Sequence, residues 1–425
     1  MKTTVCRLGP AALFAACVAS VSFAATTPAR PPGLSERDMA MAVEISAEDL
    51  ARAASLNRRP DPALIAGAPR LVAQQLANSR ARHGTLEAWE RRSAQLREEF
   101  LKAAKLWPLP DRAPLRAIVH SRREHDGYSV ENIAIESMPG FYCTGNLYRP
   151  LGATTPGPGV LCPHGHFRPM GRFREEHQIR CAHLARLGAT VFSYSMVGWN
   201  DSRQTTHRDP YALALQTLNG IAAIDYLSGL PGVDPARIGV TGASGGGTQA
   251  FFQALIDERV TASCPVGIVY PWTDELGCVC EGGMPVMRAA GTNAIELAAA
   301  VAPRAQLFIS IGGDKTRDFP EVGFPFVRSV YALHGRADRV ADAHFADELH
   351  DFGPSKRRAM YQFFAQHLGL IFRPENAATI ALETPRQMDA FGPGHPLPAT
   401  ALQGTEAVGR AFLALPRTRA STAAP

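Results

Sequence analysis

Residues 238–248 read Ile238-Gly-Val-Thr-Gly-Ala-Ser-Gly-Gly-Gly-Thr248, an apolar run, a serine among glycines and the start of a helical pattern. The central five residues have the form G-x-S-x-G. A serine that projects from a tight strand-to-helix turn needs glycine at 242 and 246, where side chains would collide with the backbone. The helix that follows places N–H groups and a positive dipole end beneath a developing oxyanion. The pattern predicts Ser244 as a nucleophile and the Gly245 amide as one oxyanion donor.

The chain on both sides of this turn alternates between apolar runs and helical patterns. Such alternation is typical of a parallel sheet covered by helices on both faces. Three further runs near the N-terminal edge are separated by hairpin-like turns and predict antiparallel strands. The sequence thus predicts an α/β fold whose mostly parallel central sheet has about eight strands. The predicted strands lie within 115–119, 130–135, 141–148, 159–162, 190–194, 238–241, 262–269, 306–311 and 340–345, and the helices within 176–187, 211–227, 248–256, 293–301, 320–333 and 356–368.

The first 24 residues have the pattern of a cleavable signal peptide. Lys2 and Arg7 provide positive charge, 11–23 is apolar or small, and small residues precede a cleavage point after Ala24. The apolar run is too short to span a bilayer. Cys17 leaves lipidation open as an alternative. We expect a secreted or periplasmic protein without a membrane span.

The remaining chain divides into three parts by composition. Residues 25–107 predict a helical N-terminal extension that packs on the main domain, ending before Pro108. Residues 108–372 hold the catalytic α/β domain. Residues 373–425 are rich in Pro, Ala, Gly and Thr, and we expect this tail to be poorly ordered.

Composition and motifs exclude several classes of function. The formal charge is +5 over 425 residues, and no dense Lys/Arg run indicates a nucleic-acid partner. Neither a G-x-G-x-x-G after a strand nor a P-loop occurs, so we expect no cofactor. Cys278 and Cys280 lack the second pair and the histidine spacing of a zinc site, so no metal is expected. One disulfide through either of them stays open.

The residues that would assist Ser244 are predicted from their position along the chain. Pro163-His-Gly-His166 ends a strand and opens a loop, which makes the His166 amide the second oxyanion donor. His350 lies in a loop before the last predicted helix and fits the general base, with His344 as its rival. The acid should precede the histidine by a helix and a strand.

That spacing favours Asp314, which follows an apolar strand directly. Asp338 lies too close to His350 to leave room for both a helix and a strand. It is predicted to be a turn or helix-cap residue instead. Asp318 and Glu281 remain alternatives.

These motifs resemble the acetyl xylan esterase-like branch of the α/β-hydrolase superfamily, close to prolyl-oligopeptidase-type hydrolases. The likeness runs from about residue 107 to 370 and includes Gly242-Ala-Ser-Gly-Gly-Gly-Thr248, Gly313-Asp-Lys-Thr316 and His350-Asp-Phe-Gly-Pro354. It implies the α/β-hydrolase fold and carries the triad roles onto Ser244, Asp314 and His350. Glucuronoyl esterases look similar but place Arg where Gly245 stands, which argues against a glucuronate methyl ester.

The resemblance and the signal peptide together predict an exported carboxylic ester hydrolase that removes an acetyl group from a carbohydrate. Its substrate would be a small-molecule or polysaccharide ester, and Trp199, Asp201 and Trp272 are expected to line the pocket. A serine peptidase or amidase, or a catalytically silent binding protein on the same fold, are the alternatives. The oligomeric state is left open.

Overall fold

The computed structural model describes residues 62–112, 114–168, 170–270 and 292–417. One sheet organises this part of the chain, in the order β1-β2-β3-β5-β4-β6-β7-β8-β9. Strands β1 to β3 form antiparallel pairs, β3 pairs antiparallel with β5, and all other neighbours are parallel. The predicted α/β class with a mostly parallel sheet is confirmed, with nine described strands instead of about eight. The strands are β1 Ala117–His125, β2 Tyr128–Met138, β3 Phe141–Pro150, β4 Gly157–Leu161, β5 Thr190–Tyr194, β6 Val233–Ala243, β7 Val260–Val266, β8 Ala305–Ile311 and β9 Val340–Phe345.

Helices cover both faces of the sheet because the central strands are apolar on both sides. Every residue of β5 and of β8 is buried, whereas the edge strand β1 alternates between exposed and half-buried positions. Helices α3 and α8 pack into the core on one face, and α4 to α7 pack into the core on the other. The helices are α1 Pro62–Arg82, α2 Leu86–Ala103, α3 Glu175–Arg186, α4 Ala212–Ser228, α5 Gly245–Ile256, α6 Ala294–Ala299, α7 Phe324–Leu333, α8 Pro354–Leu368, α9 Pro385–Met388 and α10 Thr405–Leu413.

The described part of the N-terminal extension, α1 and α2, packs against the main domain. The ring centroids of Phe100 and Phe252 lie 4.5 Å apart. The Arg92 guanidinium donates to both carboxylate oxygens of Glu296, at 3.0 and 2.6 Å. An apolar stripe and one half-buried ion pair therefore hold α2 on the main domain.

The C-terminal segment contradicts the prediction of a poorly ordered tail over residues 373–417. Met388, Ala390, Val408 and Phe412 are buried there. Thr384 and Gln387 form a reciprocal capping box at the start of α9. The segment is rich in Pro, Ala, Gly and Thr, but several of its apolar side chains fill places in the core. Their burial, with the polar anchors described below, offsets the cost of ordering the chain.

The predicted signal peptide and the last eight residues lie outside the described part of the chain. No helix within the described ranges is both long and apolar enough to cross a membrane.

Candidate active site

Ser244 occupies the turn between β6 and α5 in a strained backbone conformation. Its φ is 56° and its ψ is −127°, a region that non-glycine residues rarely adopt. The amide of Ser244 donates to the carbonyl of Val266 at the end of β7, at 3.0 Å. The strained turn is thus held by the neighbouring strand and directs the serine out from the end of β6.

The glycines around Ser244 stand where no side chain would fit. A Cβ on Gly242 would lie 2.5 Å from the carbonyl carbon of Gly246. A Cβ on Gly246 would lie 2.8 Å from the backbone carbon of His164. The strand, the helix start and the loop after β4 approach one another this closely only because these positions are glycine.

The loop after β4 lies directly against the serine. A Cβ on Gly165 would be 3.0 Å from the Cβ of Ser244. The His164 ring is buried, and its Nε2 accepts from the Met196 amide at 3.0 Å while its Nδ1 lies 2.8 Å from the Gly165 carbonyl. Burial lowers the pKa of His164 to about 3, which keeps the ring neutral. His164 is therefore a structural part of the loop that carries His166.

His350 and Asp314 form a hydrogen-bonded pair beyond the ends of β9 and β8. The Nδ1 atom of His350 lies 2.6 Å from Oδ2 of Asp314. The other carboxylate oxygen accepts from the amide and the hydroxyl of Thr316, each at 2.6 Å. The Asp314 side chain is 7% exposed and that of His350 37% exposed. The aspartate is thus fixed, and the histidine faces open space.

Gly267 connects this pair to the serine turn. It follows Val266, the residue that accepts from the Ser244 amide, and its φ is +62°. A Cβ on Gly267 would lie 2.9 Å from both Asp314 Oδ2 and His350 Nδ1. The Ser244 hydroxyl and the His350 ring are not hydrogen-bonded to each other in this state. Such bonds often tighten only when substrate binds.

The alternative acids and bases lie elsewhere. Asp318 precedes a π-helical turn over Phe319–Gly323 and contacts Arg317. Asp338 is exposed in a 3₁₀ turn. His344 lies within β9, where its Nδ1 is 2.8 Å from the Ser310 hydroxyl. Glu281 lies outside the described residues.

Asp201 does not line the predicted pocket as a free polar group. Its side chain is 3% exposed and accepts from the Arg172 guanidinium and the Ala390 amide, each at 2.7 Å. Thr144 and Ser195 donate to its other oxygen. Asp201 therefore anchors the C-terminal segment, which corrects its assignment as a substrate contact. Trp272 lies outside the described residues.

Comparison with known proteins identifies the family of the chain. No protein-family model matches the sequence. The solved structure of Methylesterase BT1017 superposes with a TM-score of 0.75 at 35% identity, over 80% of this chain and 79% of that chain. The chain belongs to the α/β-hydrolase esterase family that includes Methylesterase BT1017.

Two weaker likenesses agree with this assignment. "Putative hydrolase YtaP" of Bacillus subtilis is 26% identical over 174 residues, which are 36% of this chain and 58% of that relative. The solved structure of a putative acetyl xylan esterase from Bacteroides fragilis has a TM-score of 0.50 at 14% identity, over 78% of this chain and 89% of that chain, and shows the shared fold. The predicted resemblance to α/β-hydrolase esterases is confirmed, and the chain is a hydrolase.

In this hydrolase a cluster of aromatic rings lies beside the serine turn. The sequence did not predict this cluster. Trp199 is buried, and its ring meets those of His164, His166 and His207 edge-on at centroid distances of 5.5 to 5.9 Å. The Nε2 atoms of His166 and His207 lie 2.8 Å apart. Trp199 therefore forms a wall behind the loop that carries His166. The only sign of this cluster in the sequence is that Trp199 and His207 lie within a few residues of each other in one polar loop.

A second polar cluster of this hydrolase lies buried beneath the same loop. The ligand atoms of Cys162, His177 and Cys181 all lie within 4.8 Å of one another. The Arg180 guanidinium donates to Cys162 Sγ at 3.1 Å and lies 2.6 Å from His177 Nδ1. Burial opposes ionisation of Cys162, but hydrogen bonding from Cys181 and the charge of Arg180 outweigh it and lower the pKa of this thiol. Arg180 already supplies the positive charge that a metal would bring, so the cluster is a poor metal site.

Proposed function

We propose that the chain is a serine carboxylic ester hydrolase in which Ser244, His350 and Asp314 act together. One observation carries the proposal: a fixed Asp314–His350 pair adjoins, through Gly267, a serine held in a strained strand-to-helix turn. A nucleophile, a base and an orienting carboxylate in that arrangement constitute the machinery of acyl transfer.

The proposed reaction proceeds in two balanced steps. His350 takes the Ser244 proton as the serine oxygen attacks the ester carbonyl, and Asp314 stabilises the resulting imidazolium. The amides of Gly245 and His166 would receive the oxyanion, before His350 returns the proton to the departing alcohol. Water, deprotonated by His350, then attacks the acyl-enzyme. The bond between the acyl carbon and the serine oxygen breaks, the carboxylic acid is released, and His350 returns the proton to Ser244.

The ester most in keeping with the family is the methyl ester of a carboxylic acid on a carbohydrate. Methylesterase BT1017 is a methylesterase by name, and its 35% identity over four-fifths of this chain supports the same bond here. The sequence resemblance alone predicts acetyl removal, and this remains the second candidate. The two differ in their product, which is methanol in one case and acetate in the other.

Gly245 stands where glucuronoyl esterases place Arg, the difference that argues against a glucuronate methyl ester. A Cβ at this residue would lie 2.6 Å from Cε1 and Nδ1 of His166, so His166 occupies the space that an Arg side chain would enter. The replacement of Arg by Gly therefore leaves a space that the His166 ring fills. It is not by itself an argument against methyl esters as a class.

The test measures methanol and acetate separately. Protein beginning at residue 25, together with Ser244→Ala, is assayed on p-nitrophenyl acetate, methyl-esterified polyuronate and acetylated xylan. Methanol release by the wild type alone supports the methyl ester, and acetate release supports the acetyl group. Failure of folded wild type to hydrolyse any ester or to react with a fluorophosphonate would overturn the serine mechanism and favour a silent binding protein. Hydrolysis of amides but not esters would favour the peptidase.

Export is tested by locating the full chain and sequencing its N-terminus, where cleavage after Ala24 is expected.

A further inference from the structure

We propose that His207 is a positioning residue that holds the His166 loop in the geometry needed to receive the oxyanion. The inference deepens the proposed function and rests on it. It assigns a task to a side chain that is remote in sequence from both predicted oxyanion donors.

The orientation of the His207 ring is set by its own backbone surroundings. Its Nδ1 lies 2.6 Å from the carbonyl of Val197. A carbonyl only accepts, so Nδ1 carries a proton. The loop closes tightly at this point, since a Cβ on Gly198 would lie 2.7 Å from the Cα of His207. Gly198 has φ +76°, a conformation that glycine adopts without strain. The ring therefore has one orientation and one neutral tautomer.

That tautomer determines the contact with His166. In the singly protonated ring with its proton on Nδ1, Nε2 of His207 can only accept, and His166 then donates from its own Nε2 across the 2.8 Å contact. The hydrogen-bonded chain thus runs from His166 to His207 to Val197, in one direction. Trp199 packs edge-on against both imidazoles and limits their tilt.

The His166 ring in turn adjoins the other proposed donor. Its Cε1 and Nδ1 edge lies where a Cβ on Gly245 would be, and Gly165 contacts Ser244. The backbone of 164–166 is attached to the segment that follows β5 through His164 and Met196, and His207 supplies a further attachment. Two attachments are needed because one fixes the position of a short loop but leaves its rotation free. Preorganised donors stabilise an oxyanion only when they need not reorient during the reaction.

The experiment is a double-mutant cycle with a rescue variant. His207→Leu removes the acceptor, His207→Gln restores a side-chain oxygen near the place of Nε2, and His166→Ala removes the donor while keeping the backbone amide. His395→Leu, at an exposed histidine, is the matched control. All are compared on p-nitrophenyl acetate for kcat and KM, with thermal unfolding in parallel.

We expect His207→Leu to lower kcat about 10- to 100-fold with KM nearly unchanged, as loosened positioning of an oxyanion donor does. His207→Gln should recover most of the loss, and the effects of His166→Ala and His207→Leu should not add. Unchanged kcat in His207→Leu, additive effects, or a loss that only follows the unfolded fraction would each overturn the inference. An active wild type with these outcomes leaves the proposed function standing, whereas an inactive wild type overturns the function itself.

Discussion

The carboxylate of Asp314 is bound on both sides, by the His350 ring at 2.6 Å and by Thr316 at 2.6 Å. A carboxylate fixed in this way imposes one tautomer on the histidine, with the proton on Nδ1 and the lone pair on Nε2 available to a serine. Asp314→Asn keeps the size of the side chain but reverses this preference. We expect kcat to fall on the order of 10⁴-fold with little change in thermal stability.

Two other aspartates provide matched controls for that variant. Asp318→Asn and Asp338→Asn remove the same charge from positions without contact to His350. Each should leave ester hydrolysis within about twofold of the wild type, as expected of surface substitutions. If Asp318→Asn were the more damaging variant, Asp314 would not be the acid.

Gly267→Ala tests whether the backbone beside this pair must lack a side chain. The added methyl would meet Asp314 and His350 at 2.9 Å, and φ is +62°. Gly335→Ala is the control, because its φ is +66° and nothing lies within 4 Å of the added Cβ. Both variants should lose about 1 kcal/mol to backbone strain. Only Gly267→Ala should also lose activity, about 10- to 100-fold, because the pair is displaced. Equal activity in the two variants would contradict the assigned contact.

Local patterns were sufficient to place the residues that follow strands directly. The strand–turn–helix around Ser244 and the position of Asp314 after β8 follow from chain order, because parallel strands present their carboxyl ends at one edge of the sheet. The spacing that rejected Asp338 reflects the room that α7 and β9 occupy between acid and histidine.

Contacts between distant segments could not be predicted in this way. The polar loop around Asp201 predicts a pocket residue, yet the partners of Asp201, Arg172 and Ala390, are far away in sequence. The same network explains why the prediction of a poorly ordered C-terminal segment is wrong. The composition of this segment gives no sign that it binds the buried Arg172–Asp201 ion pair. The contact of His207 with His166 could not be predicted for the same reason, since only folding brings the two rings together.

Asp201→Asn tests whether this buried network orders the C-terminal segment. Burial disfavours the Asp201 carboxylate, but the charge of Arg172 and the Ala390 amide outweigh this and lower its pKa. A depressed acid pKa stabilises the fold at neutral pH, and this stabilisation is lost as pH falls through the folded-state pKa. Removing the charge leaves the buried Arg172 without its carboxylate partner, at a cost of about 3–5 kcal/mol. We expect limited proteolysis to begin within 385–417. Loss of stability without faster cleavage there would argue against the anchoring role.

Asp389→Asn, at a second carboxyl group close to Asp201 in space, should act in the opposite sense. Burial and the nearby Asp201 raise the pKa of Asp389 to about 6, against the opposing charge of Arg172. A raised acid pKa means that the fold loses stability as pH rises from about 4 towards 6. Asp389→Asn should therefore be more stable than the wild type at pH 8, measured by urea unfolding, and lose this advantage at pH 4. A variant destabilised equally at both values would show that the carboxylate makes a needed contact.

Asp342 on the edge strand β9 provides an independent test of the same linkage. Burial raises its pKa to about 7, although the Ser310 hydroxyl donates to Oδ2 at 3.1 Å, and Oδ1 has no partner among the described residues. The unfolded chain ionises this carboxyl near its ordinary pKa, so the wild type should lose stability as pH rises from about 4 to 7.

Asp342→Asn cannot ionise and should escape that loss. Relative to the wild type, its free energy of unfolding should improve by roughly 4 kcal/mol between pH 4 and pH 8. Asp338→Asn, at an exposed carboxylate before the same strand, should change equally little at both values. His344 shares the Ser310 hydroxyl, so the measurement is repeated in His344→Gln to separate its own titration. A pH-independent difference between Asp342→Asn and the wild type would mean that Asp342 is ionised in the fold at neutral pH, with solvent supplying the partner that Oδ1 lacks.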